Sequence, residues 1–152
     1  MPDENVNKWK QKGHLYLWHY IDNTRNYPGW NLTADKTFCD SFADLIQRML
    51  VAQYNCQQPL MITLPTKKIL GVPNNQGGQA GWKSPKTIVL KHLKDKIADD
   101  YFFFEESENT AILAVGRQNL ELLKGCVLKI SEGKGDYSIE IGSTQLWFWW
   151  ML

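Results

Sequence analysis

Two rhythms alternate along this chain. Residues His14 to Ile21 (HLYLWHYI) carry aromatic and branched apolar types on both faces of an extended segment, which predicts a strand covered on both sides. Leu15, Leu17, His19 and Ile21 share one face of it; His14, Tyr16, Trp18 and Tyr20 share the other. Further on the period changes. Phe38, Cys39, Phe42, Leu45, Ile46, Met49 and Leu50 recur at spacings of three and four and cover a stripe of roughly 140°, wide enough for a core-facing helix. Asp40, Ser41, Asp44, Gln47 and Arg48 fill the opposite side, and Asp44 and Arg48 form an i,i+4 pair of the favourable order. The spacing predicts a helix over 34–52, entered from Leu32 or Thr33 and capped by Thr33 or Asp35. Between strand and helix, Asp22, Asn23, Thr24 and Asn26 break the run, and Tyr27-Pro28-Gly29-Trp30 has the residues of a type II turn.

The rest of the pattern is shorter-ranged. Residues 1–13 are polar and read as frayed, with Trp9 as their only anchor. Tyr54 to Pro59 reads as a polar connection, Leu60 to Leu64 as a strand closed by Pro65, and Lys67 to Val72 as another strand. Gly71 to Pro85 is a long glycine-rich loop, a length uncommon in a compact domain unless the loop is functional or mobile. Thr87 to Leu90 predicts a strand, and Lys91 to Asp99 one or two helical turns. Tyr101 to Glu105 and Ala111 to Val115 predict a hairpin. Leu120, Leu123, Val127 and Ile130 sit at helical spacing and Gly133 suits a helix end. Gly125 opposes that reading at about 1 kcal/mol, yet the balance favours a helix over 118–131. Tyr137 to Ile141 and Gln145 to Leu152 close the chain as a hairpin. Its tail is apolar on both faces, which calls for an interior strand or a partner-covered edge, and so leaves room for a homo-oligomer. The expected fold is one α+β domain over 1–152, a largely antiparallel sheet packed against two main helices.

Composition changes this picture in one respect. The chain has 152 residues, 43% of them hydrophobic and 22% charged, an ordinary globular balance in which the seven tryptophans stand out. A formal net charge of +1 gives no field that gathers nucleic acid or anionic membrane. Three cysteines without a close pair, no export-type apolar segment and no run of ~18 apolar residues lead to a soluble, cytoplasmic expectation with no membrane partner.

Candidate chemistry is sparse. His14 and His19 project from opposite faces of one strand, and no histidine or cysteine spacing matches a metal site. No phosphate loop or nucleophile elbow is present, so no cofactor is expected. Trp9 between Lys8 and Lys10, and Trp82 beside Lys83, pair aromatic and basic groups as single-strand binders do, but the dispersed charge disfavours nucleic acid. The carboxylates cluster at Asp40 and Asp44 and at Glu105, Glu106 and Glu108, where solvation accounts for them. The best candidate is an aromatic corner of Tyr20, Asp22, Arg25, Tyr27 and Trp30, completed by Trp82 and Lys83 from the long loop. A guanidinium among rings suits carboxylates or planar groups. The alternative for Arg25 is a structural brace for Asp22. These residues favour a non-catalytic binding or protein-interaction module that regulates or neutralises a protein partner or takes a small polar, planar ligand. The alternative is a small-molecule enzyme with its pocket between the Arg25 corner and the 71–85 loop.

Overall fold

The computed structural model describes residues 4–21, 29–71, 81–94, 100–133, 137–141 and 144–149. Within them the chain runs α1 (Glu4–Lys8), β1 (Leu15–Tyr20), β2 (Trp30–Ala34), α2 (Lys36–Val51), β3 (Cys56–Met61) and α3 (Lys67–Leu70). It continues through β4 (Trp82–Lys83), β5 (Thr87–His92), β6 (Phe102–Ser107), β7 (Thr110–Val115), α4 (Arg117–Ser131), β8 (Tyr137–Ile141) and β9 (Thr144–Phe148). The strands form one sheet in the order β4-β1-β2-β9-β8 and a second in the order β3-β5-β7-β6. Pairing is antiparallel except for β2 with β9 and β5 with β7. The α+β content and the two long helices follow the hydrophobic pattern. No helix among the described residues is long and apolar enough to cross a membrane.

The sheets meet at a corner where Leu15 bridges Ile62 and the Thr63 amide donates to the Leu15 carbonyl at 2.8 Å. Their facing sides enclose one apolar core with the buried faces of α2 and α4. Leu15, Leu17, Leu32 and Leu146 come from the first sheet, Leu60, Ile88, Leu90 and Leu113 from the second, and Phe38, Phe42, Leu123 and Val127 from the helices. A small apolar cavity of about 30 Å³ remains where these side chains converge. The alternation of β1 then has a second consequence. Its even residues, Tyr16, Trp18 and Tyr20, point away from this core into a separate cluster with Ile69, Leu70, Trp82, Trp147 and Trp149. The five-stranded sheet is therefore covered on both faces, as the double-sided strand pattern predicts.

Several expectations need correction. Trp30 to Ala34 is a fully buried strand, not the end of a turn and the entry to a helix. Pairing with β1 on one edge and β9 on the other satisfies its backbone, and the helix begins only after Asp35, whose side chain accepts from Phe38 N. The strand expected at Leu60–Leu64 lies at Cys56–Met61, including residues read as a polar connection. It is an edge strand, which tolerates Pro59 and an outward Gln57. Lys67 to Leu70 is one helical turn because Thr66 Oγ1 accepts from Ile69 N and caps it. β5 continues to His92, where helical turns were expected, and residues 95–99 lie outside the described residues. Residues 4–13 are anchored rather than frayed. Val6 and Trp9 are buried, and the Gln58 side chain donates to the Val6 carbonyl. For the tail strand the interior alternative holds over 144–148, where β9 lies between β2 and β8.

Candidate functional site

The end of β1 carries the residues of interest. β4 is only two residues long, and pairs Trp82 with Tyr20 and Lys83 with His19. The pairing is extended by the Ile21 amide, which donates to the Gly81 carbonyl at 2.9 Å. Ser84, next along, donates its hydroxyl to the Leu17 carbonyl at 2.7 Å, pinning the chain against β1. Across from this edge stands the β6–β7 hairpin. Its tip is tied down as well: the Asn109 carbonyl accepts from the amides of Lys86 at 2.7 Å and Thr87 at 3.3 Å. Between the two walls runs a groove of about 590 Å³ lined by Trp82, Lys83, Ser84, Glu106, Glu108 and Asn109. At its inner end the His19 ring packs on Trp30 at 4.5 Å, and His19 Nε2 approaches Glu106 Oε2 to 3.8 Å, beyond hydrogen-bond length. Glu108 adopts a positive φ of 50°, an uncommon conformation for a side chain of its size, at the outer lip.

The second feature lies on the outer face of the five-stranded sheet. Trp149 Nε1 donates to Asn31 Oδ1 at 2.8 Å, the Thr33 hydroxyl donates to the Trp149 carbonyl at 2.7 Å, and the Tyr20 hydroxyl donates to the Leu70 carbonyl at 3.3 Å. In the same layer Trp18 Nε1 and Asn31 Nδ2 are buried without a hydrogen-bond partner. An unanswered buried donor costs about 1–3 kcal/mol, so two in one layer are not neutral packing.

The sequence-predicted residues are thus distributed. Tyr20 and Trp82 are register partners on the outer face, Lys83 stands at the same edge, and Trp30 faces the main core beside His19 and Phe104. Tyr20 and Trp82 come together; the sheet stands between them and Trp30. Asp22, Arg25 and Tyr27 lie outside the described residues, as does most of the pocket imagined between the Arg25 corner and the 71–85 loop. The sequence reading omitted His19, Ser84 and Asn109 and treated Glu106 and Glu108 as a solvated hairpin tip. No local signal joins residue 82 to residue 106; the bonds from Lys86 and Thr87 to Asn109 do.

Other candidates recede on inspection. A second surface groove of about 530 Å³ includes Lys8, Trp9, Lys10, Lys12 and Arg48. Trp9 is not available there for base stacking, being 5% exposed with its ring N–H bonded to the Ser41 carbonyl at 2.8 Å. Cys39 is buried, and that burial, with the charges of Asp35 and Asp40, pushes its thiol up to about 11, far from a reactive thiolate. Among the described residues no group of three His, Cys, Asp or Glu side chains is arranged to hold a metal ion. In comparisons with known proteins, no family model matches the chain, and no curated protein and no solved structure is significantly similar to it.

Proposed function

We propose that this protein is a non-catalytic interaction module that regulates or neutralises a protein partner, gripping a basic side chain of that partner in the groove between β4 and the β6–β7 hairpin. The observation that carries the reading is the composition of two tethered walls: the segment Trp82-Lys83-Ser84 on one, the carboxylates of Glu106 and Glu108 on the other. Two carboxylates on one wall suit an arginine or lysine head group, which gains charge-assisted hydrogen bonds. Because both walls are held by hydrogen bonds in the unbound chain, little ordering entropy is spent on binding. Lys83 at the rim favours a partner with a carboxylate next to its basic residue. Three thiols, of which Cys39 and Cys126 are buried, fit a reducing, cytoplasmic setting.

Selection from a random phage-displayed peptide library tests the proposal. The wild-type protein should enrich peptides carrying arginine or lysine. Glu106→Gln combined with Glu108→Gln should weaken the selected peptides by about fivefold or more while the unfolding midpoint stays in place. Enrichment without basic residues, or equal binding by the double variant, would overturn it. Arg25→Ala separates the two sequence-based readings of that residue: lost affinity at an unchanged midpoint marks a recognition contact, and a lowered midpoint marks a brace for Asp22.

A further inference from the structure

We infer that the outer face of the five-stranded sheet holds a binding site for the carbonyl oxygen of an uncharged, planar amide group, with Asn31 Nδ2 and Trp18 Nε1 as its donors. The argument starts from register. Asn31 is opposite Trp18 on β1 and opposite Trp147 on β9, so the three side chains form one row across adjacent strands on the same face. Trp18 and Asn31 are both 0% exposed. The orientation of the Asn31 amide is forced, because its oxygen accepts the Trp149 ring N–H at 2.8 Å and a flipped amide would set donor against donor. Its NH₂ group therefore points elsewhere, and meets no acceptor. Trp18 Nε1 is a donor and nothing else, and it too meets none. Facing positions in an antiparallel pair place side-chain roots about 5 Å apart, near enough for one oxygen with two lone pairs to serve both donors.

The surroundings select the ligand. The hydrophobic residues packed around these donors are Tyr16, Tyr20, Ile69, Leu70, Trp82, Trp147 and Trp149, and among the described residues no Asp, Glu, Lys or Arg is buried. A carboxylate would be buried there without a counter-charge, whereas an amide carbonyl brings an acceptor at far lower desolvation cost. Trp147 and Trp149 lie nearly parallel, with centroids 6.0 Å apart and planes at 18°; Trp149 is buried, so Trp147 offers the ring on which a planar group can stack. Trp147 is half-buried, so the row reaches the surface at that ring. Trp82 borders both places, but neither donor lines the Trp82–Glu106 groove, so this inference stands or falls separately.

The experiment is a titration of the ¹⁵N-labelled protein with N-methylacetamide, and in parallel with acetate, followed by ¹H–¹⁵N correlation spectra. The Trp18 ring N–H and the Asn31 side-chain amide should shift together and saturate with the amide probe, and respond less to acetate. Trp18→Phe keeps a ring but removes a donor, and should weaken the probe about tenfold. If that variant does not fold, the wild-type titration decides alone. Shifts that do not saturate, shifts shared by all indole groups, acetate binding as tightly as the amide, or a long-lived water contacting both donors throughout would each overturn the site.

Discussion

Asp35 shows how much one side chain can organise. Its Oδ1 accepts from the Phe38 amide at 2.8 Å and from the His14 amide at 3.0 Å, and its Oδ2 meets His14 Nδ1 at 2.9 Å. It caps α2 and ties β1 to that helix in one step. Burial alone would raise its pKa, but the bonds from the Phe38 and His14 amides and the His14 ring outweigh that and hold the carboxyl below its ordinary 3.8. Because the folded value lies below the unfolded one, this stabilisation is fully present above the ordinary value and is lost as pH falls through the folded value. Urea midpoints measured down an acid series should therefore drop in the wild type, and drop less steeply in Asp35→Asn. The close approach also explains Gly13, whose φ is +77° and where an added Cβ would run into the Phe38 nitrogen and Asp35 Oδ1. Gly13→Ala should cost about 2–4 kcal/mol by denaturant unfolding, combining a left-handed backbone with that clash.

At the scale of elements, α2 carries the main test of the core. Phe38 and Phe42 stack with centroids 5.5 Å apart and planes at 25°, and Phe42 is 5% exposed. Phe42→Ala should lower the unfolding free energy by about 3–5 kcal/mol, and a loss under about 1 kcal/mol would mean that this face does not bear on the core. That helix was legible because its signal is local: the stripe and its opposing polar face lie within one segment, as they do for α4 and for the Phe102–Val115 hairpin. β2 was illegible for the opposite reason. Trp30 to Ala34 alternates apolar and polar residues over only five positions, too few to outweigh the turn signal before it and the helical stripe after it, and its extended state depends on pairing with β1 and β9. Thr66 makes the same point at small scale, where a single cap turns an apolar run that reads as strand into a helical turn. The candidate groove was half legible. Trp82 and Lys83 stood out as a ring and a charge ending a glycine-rich loop, but their carboxylate counterparts arrive through long-range backbone bonds that no local pattern records.

For the whole molecule, the decisive joint is β2 between β1 and β9, locked further by the Thr33–Trp149 bond across 116 residues. Without β9, β2 loses one ladder, Leu146 and Phe148 leave the main core, and Trp149 leaves the outer cluster. A chain stopped after Gly133 should accordingly show no cooperative thermal transition by circular dichroism, whereas a sharp transition would mean that the four-stranded sheet and its helices fold alone. The same joint sets a timetable for synthesis. At about 5–20 residues per second, the 116 residues between Thr33 and Trp149 take on the order of ten seconds to translate. Throughout that interval the apolar strand at the middle of the sheet waits on the ribosome with one neighbour in place, a natural client for any chaperone that holds nascent chains.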